Sequence, residues 1–175
     1  MEAFFDAWIA GLEELQNELL SAPRDRPDLL RPLVARALNH YQDYYHEKAR
    51  LAARDVLRVF SPRWLTPFER SFHWIAGWKP SLAFRLLLSI AMALSQVLAV
   101  ARRVRDGEAR GQAAEMVVRS LELLLASADA LRTRTVTCLV DILTPAQSVD
   151  FLLAAAQLRL RVRRWGMRRY GRTSD

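Results

Sequence analysis

Trp64-Leu65-Thr66-Pro67-Phe68-Glu69-Arg70-Ser71-Phe72-His73-Trp74-Ile75-Ala76-Gly77-Trp78-Lys79-Pro80 holds three of the chain's five tryptophans and the start and stop signals of a short helix. Thr66 is a good N-cap, Pro67 suits the first helical position, and Glu69 sits three residues after Thr66 to close a capping box. Gly77 is placed to take the left-handed conformation that ends a helix, which predicts helix over Pro67 to Ala76. Pro80 then starts another. The span from Phe60 to Leu88 therefore reads as a tight helical corner, with Trp64, Trp74 and Trp78 packing at it.

Upstream of the corner, Ser61-Pro62 breaks a pattern that begins at Leu29. Leu30, Val34, Leu38, Tyr41, Tyr45, Ala49, Ala52, Val56 and Val59 mark its apolar side, with His40 and Tyr44 flanking the seam. Asp28 is the expected cap and Pro32 falls in the first turn. Thirty residues of helix would be roughly 45 Å long, the length of a whole domain, so this helix is the expected spine. Before it, Phe5, Trp8, Leu12, Leu15 and Leu19 share one face of a helix that Pro23 and Pro27 end.

Downstream, the longest uncharged run is Leu86 to Ala101, between Arg85 and Arg102. It is shorter than the roughly 20 apolar residues that a membrane span needs, and it reads as a core helix. Asp106-Gly107 signals a turn. Val117, Leu121, Leu124, Ala128, Leu131, Thr135, Cys138 and Ile142 form a nearly heptad stripe. Thr144-Pro145-Ala146-Gln147 repeats the capping-box logic. A last helix places Phe151, Ala155, Leu158, Val162 and Trp165 on one side and ends at Gly166. No strand pattern of any length appears, so the class is all-α: one helical bundle domain of five to six helices, two of them long, over residues 1–166, with a basic tail over 167–175.

The 175 residues suit one domain with a real core, and 51% of them are apolar. A single cysteine, Cys138, excludes a disulfide framework within the chain and a cysteine-based zinc cluster. No basic secretory leader precedes the first helix, since Glu2 and Asp6 stand there. The net charge of +7 is unevenly spread, for Phe151 to Asp175 holds seven arginines and one acid. Such a segment can meet nucleic acid, an acidic protein surface or nuclear import machinery, or simply face solvent.

Catalytic signatures are mostly absent. His46-Glu47 begins like a zinc-protease helix, but Arg50 replaces the second histidine. Gly107 and Gly111 lack the Lys-Ser or Lys-Thr of a phosphate-binding loop. Cys138, within an apolar stripe, reads as a small core residue. His40, His46 and His73 have poor mutual spacing for a metal, and His73 reads as a packed, hydrogen-bonded histidine. Arg159, Arg161, Arg163, Arg164, Arg168 and Arg169 are candidates for nucleic-acid or acidic-partner contact, interleaved with Trp165 and Tyr170. Phe5, Trp8 and Leu12 are candidates for a partner-facing stripe. No catalytic, cofactor-binding or metal-binding residue is assigned.

The order of motifs adds a resemblance. Phe4-Phe5-x-x-Trp8 is followed by His40-Tyr41, Tyr44-Tyr45-x-x-Lys48 and Asp55-Val56, and then by the Trp64 to Ser81 stretch. After these come Ala128-Asp129-x-Leu131-Arg132-x-x-Thr135, Ile142-Leu143-Thr144-Pro145-x-Gln147, Leu158-x-Leu160 and Trp165-Gly166. Over nearly its whole length the chain resembles the Delay of Germination (seed dormancy control) domain of plants, which also forms the C-terminal part of TGA-type bZIP transcription factors. The resemblance implies an all-helical, non-enzymatic domain that regulates transcription or seed dormancy through protein contacts in the nucleus, and also in the cytoplasm. It implies TGA-type bZIP factors, ankyrin-repeat co-regulators or abscisic acid pathway phosphatases as partners, with homo- or heterodimers open. DNA would be reached through a partner, the alternative being direct binding by the arginine-rich last helix.

A further alternative is a lipid or haem sensed in the bundle. Arg159 and Arg163 stand where haem-associated members place histidines, so no cofactor is expected. About 40 residues join Leu88 to Asp129, fewer than in the family, so a bundle helix is expected to be short and self-association to cover what it leaves.

Overall fold

The computed structural model describes residues 1–78 and 110–171. The helix expected from Pro80 to Ala101, the Asp106-Gly107 turn and the end of the basic tail lie outside the described residues. Within them the chain is all-α, apart from a two-residue antiparallel ladder. The order is α1 (Glu2–Ser21), α2 (Pro27–Phe60), α3 (Pro67–Ser71), β1 (His73–Trp74), β2 (Gly77–Trp78), α4 (Arg110–Ile142) and α5 (Pro145–Gly171). The two longest helices are α2 and α4, with 34 and 33 residues.

The first helix forms as its pattern predicts, burying Phe5, Trp8, Leu12, Leu15 and Leu19. These side chains meet Leu30, Val34, Ala37 and Tyr44 of α2 and Val149, Leu152, Ala156 and Leu160 of α5. Each fully buried large side chain contributes about 1.5–3 kcal/mol, so the α1–α2–α5 seam is the core. A second, smaller cluster joins Ala52, Val56 and Val59 of α2 to Leu125 of α4.

The spine differs from its sequence reading in three places. Pro27 rather than Asp28 opens α2, with Arg26 at the N-cap; Asp28 instead pairs with Arg26. Asp55 breaks the helix with φ −160° and ψ 89°, and its carboxylate accepts from the Arg58 N–H at 3.2 Å, restarting the last turn as a cap would. Third, Tyr44 and Lys48 take the buried seam while Ala49 faces solvent. Lys48 goes in because a carboxylate waits for it there.

The corner keeps its capping box, with Thr66 Oγ1 accepting from the Glu69 N–H and Glu69 Oε2 accepting from the Thr66 N–H. The helix ends at Ser71, however, and a hairpin follows in which His73 pairs with Trp78 and Trp74 with Gly77. Its two turn residues, Ile75 and Ala76, have φ of 46° and 52°, so they take the left-handed conformation assigned from sequence to Gly77. Gly77 is required for space instead, since a Cβ there would lie 2.6 Å from Cζ of Arg132.

The stripes of α4 and α5 are also rotated from their expected faces. Leu125, Ala128 and Arg132 are buried on α4, while Cys138 is exposed and Ile142 is 81% exposed. Cys138 is thus a surface thiol, not a core residue. On α5, Val149, Leu152, Ala156, Arg159 and Val162 point inward, Leu158 and Trp165 are about half exposed, and the helix runs past Gly166 to Gly171. Gly166 sits directly against Thr66. In both helices arginines displace apolar residues from the inner face because buried carboxylates and carbonyls receive them.

Candidate functional site

The strained hairpin is held from both sides by cations. Left-handed φ at a β-branched residue costs on the order of 1–3 kcal/mol and persists only where its surroundings fix it. Here Arg132 of α4 donates to the Ile75 carbonyl at 3.0 Å and to the Trp78 carbonyl at 2.9 Å. Lys48 of α2 donates to the Ala76 carbonyl at 3.1 Å. Asp129 joins the two cations, at 2.7 Å from Lys48 Nζ and 2.6 Å from Arg132 Nη1. Burial lowers the Lys48 ammonium to about 8, the Asp129 charge opposing that shift. Lys48 also lies over the rings of Tyr44 and Tyr45. The cluster is a clamp: Lys48 and Arg132 both reach the hairpin backbone and both pair with Asp129.

A second cluster joins the corner to α5. Glu69 is fully buried and accepts at Oε2 from Thr66 Oγ1 at 2.9 Å and from Arg163 Nη1 at 3.1 Å. Arg163 also donates to the Trp64 carbonyl and reaches Asp6 of α1. Arg159, 5% exposed, faces Glu69 Oε1 at 3.9 Å, beyond hydrogen-bond distance, and its guanidinium lies over the rings of Phe5, Trp8 and Trp78. Arg159 Nη1 and Glu69 Oε1 have no hydrogen-bond partner among the described residues. His73 packs near Trp78, but neither ring nitrogen is hydrogen-bonded among the described residues. Burial first, then the Arg159, Lys48 and Arg132 charges, lowers its imidazole to about 3. The histidine is packed as expected and unbonded against expectation, because the nearby hydrogen-bonding groups serve the clamps.

Between α2, α4, α5 and the hairpin lies a cavity of about 310 Å³, at the lower end of the size range of small-molecule sites. Leu38, Tyr41, Tyr45, Val136, Phe151 and Leu152 make it mainly apolar, and Arg132 and Arg159 stand in its wall. The Tyr41 hydroxyl is buried without a hydrogen-bond partner among the described residues, and burial raises its pKa to about 12. Among the described residues the lining holds no histidine, cysteine or methionine for a haem iron, and tyrosines kept protonated are poor ligands. Among the described residues, no three His, Cys, Asp or Glu side chains gather as a metal site. No helix among them is long and apolar enough to cross a membrane.

The candidate contact residues are thereby redistributed. Phe5, Trp8 and Leu12 are core, and Trp8 is fixed by its Nε1–H to the His40 carbonyl at 2.7 Å and by stacking on His40. They present no partner-facing stripe, because the same face that makes α1 amphipathic packs on α2 and α5. Arg159 is likewise buried and Arg163 half-buried, both directed at Glu69. Arg161, Arg164, Arg168 and Arg169 are exposed on one face of α5, with Trp165 among them. The clamp residues Lys48, Asp129 and Arg132 were not singled out by sequence reasoning as a site. Their membership in two separated motifs, Tyr44-Tyr45-x-x-Lys48 and Ala128-Asp129-x-Leu131-Arg132, is the signal that pairs them.

The family model described as seed dormancy control matches residues 11–89. Protein DOG1-like 4 of Arabidopsis thaliana is 30% identical over 95% of this chain and 92% of its own length. Protein ZW2 of the same plant is 28% identical over 94% of this chain and 95% of its own length. Transcription factor TGA2.3 of Oryza sativa subsp. japonica is 35% identical over 82 residues, 46% of this chain and 25% of that protein.

Proposed function

The chain belongs to the seed dormancy control family of plants, and from that premise we propose that it is a non-enzymatic regulatory domain that acts by binding other proteins in the nucleus, and also in the cytoplasm. The alignment along nearly the full length of DOG1-like 4 carries this reading, and the shorter match to TGA2.3 gives it the direction of transcription. The buried charges are consistent with it, since Lys48, Glu69, Asp129 and Arg132 are held in ion pairs that tie the helices and the hairpin together. By resemblance its partners are TGA-type bZIP factors, ankyrin-repeat co-regulators or abscisic acid pathway phosphatases, and DNA is reached through them. Affinity purification of the intact chain from plant nuclei tests this. A regulatory protein of these classes should co-purify in stoichiometric amount. A chain that stays out of the nucleus and returns no partner overturns the reading.

The cavity favours a second reading, ligand sensing. Its apolar walls, the Arg159 guanidinium with an unpartnered Nη1 and the unpartnered Tyr41 hydroxyl suit an apolar molecule that carries a carboxylate. Native mass spectrometry of protein isolated from plant tissue would show a bound mass lost on Arg159→Met substitution; a protein that is always empty removes the reading.

A further inference from the structure

The six arginines from Arg159 to Arg169 divide by direction, and the outward set forms a patch with aromatic neighbours. Arg161, Arg164, Arg168 and Trp165 recur at helical spacing on the face of α5 turned away from the core, about 10 Å from end to end. Trp165 is 49% exposed, its edge against Phe68 at a centroid distance of 6.5 Å. Phe68 in turn lies edge-on to Phe72, which is 42% exposed, and Arg169 lies over the Phe68 ring. Arg161, Arg164 and Arg168 have no carboxylate partner among the described residues. The carboxylates at the border are engaged or apart. Glu69 is buried with Arg163, Asp6 pairs with Arg163, and Glu2 lies in the neighbouring hollow with Arg63 and Arg70.

From this geometry we infer that the outer face of α5 around Trp165 is a docking surface for an acidic protein segment that carries an apolar anchor residue. Charge complementarity fixes the sign of the partner. Three or four phosphate contacts give only weak, salt-sensitive binding, and a duplex held through them leaves Trp165 and Phe72 wet. A single strand, whose bases stack on such rings, is the competing occupant that the nucleic-acid arm of the test separates. An acidic amphipathic helix neutralises the arginines and buries the rings together, the Trp-and-Arg composition found where interface energy concentrates. This inference rests on the protein-binding reading above and adds to it the face and the chemistry of the partner.

The test is titration of a fluorescent 20-residue peptide, alternating Glu and Asp with Leu or Phe at every fourth position, into the intact protein at physiological salt. Wild type should bind it. Arg164→Glu/Arg168→Glu should weaken binding by about tenfold or more, and Trp165→Ala by about fivefold or more, with unchanged far-UV circular dichroism. Arg54→Glu, an exposed charge on α2, should leave it within about twofold, as an uninvolved surface charge does. Failure of wild type to bind, equal loss with Arg54→Glu, no effect of Trp165→Ala, or tighter binding of a 20-nucleotide single strand or duplex each overturns the inference. Nuclear partners recovered equally by wild type and the double variant would also overturn it, while leaving the protein-binding reading intact.

Discussion

Arg163 Nη1 donates to Glu69 Oε2 at 3.1 Å inside the protein, so the carboxylate that caps a five-residue helix also anchors the C-terminal helix. Removing one member of a buried charge pair costs about 3–5 kcal/mol, because the other is left without its counter-charge. Glu69→Gln keeps an acceptor for the Thr66 N–H but leaves the buried Arg159 without its carboxylate and Arg163 with only the exposed Asp6. Urea unfolding should show a loss in that range, with Glu69→Ala losing about 1 kcal/mol more as the cap disappears. Equal stability of wild type and Glu69→Gln would mean that the pair does not hold α5.

The clamp on the hairpin makes an asymmetric forecast. Lys48→Met removes a cation whose burial is already unfavourable, and Asp129 retains Arg132. Its cost should stay within about 1.5 kcal/mol, close to that of a volume-conserving core change. Asp129→Ala instead leaves both Lys48 and Arg132 facing each other in the interior and should cost about 3–5 kcal/mol. Denaturant midpoints of the two variants check the order. The reverse order would put the clamp's weight on Lys48.

Helix existence was legible because apolar spacing and capping chemistry are local: α1 and both capping boxes, Thr66 to Glu69 and Thr144 to Gln147, form as read. Facing was less legible. Periodicity assigns apolar side chains inward and charges outward, and Lys48, Arg132 and Arg159 break that rule because each has a partner in a segment distant in sequence: Asp129, the hairpin carbonyls and Glu69. For the same reason Arg159 and Arg163 could not be separated from Arg161 and Arg164 by composition. The split depends on Glu69 about 90 residues earlier, which no local window contains. The hairpin turn was missed because Ile75-Ala76 lacks the Asn-Gly or Gly signal of such turns, its conformation being held by Arg132 and Lys48 instead.

Gly166 offers a sign test of packing against propensity. Gly→Ala in a helix interior ordinarily stabilises by about 1 kcal/mol. At Gly166 a Cβ would overlap Thr66 Oγ1, so Gly166→Ala should destabilise by about 1–3 kcal/mol, the usual cost of overpacking. Thr66→Ala removes the obstructing hydroxyl and should itself cost about 1 kcal/mol through the lost cap. The double variant should then be less destabilised than the sum of the two, by at least about 0.5 kcal/mol. Strict additivity in thermal or urea unfolding would show that the two residues do not touch.

His73 gives the fold an acid limit whose sign follows from its burial. Its imidazole is lowered to about 3 by burial and by Arg159, Lys48 and Arg132, from an ordinary value of 6.5. Between those values the unfolded chain takes up a proton that the folded one refuses, so stability rises with pH across the window and falls on acidification. One such group supplies a slope of at most ~1.4 kcal/mol per pH unit. Its effect is absent above about pH 7, where both states are neutral. His73→Phe keeps an aromatic ring of similar shape and removes the titration, so the pH dependence of unfolding free energy between pH 6 and pH 4 should be shallower in the variant by up to that slope. The two curves should differ by a constant above neutrality. Parallel curves through the acid range would mean that the imidazole accepts its proton within the folded protein, and hence that the buried ring is reached by a counter-charge or solvent despite Arg159 and Arg132 beside it.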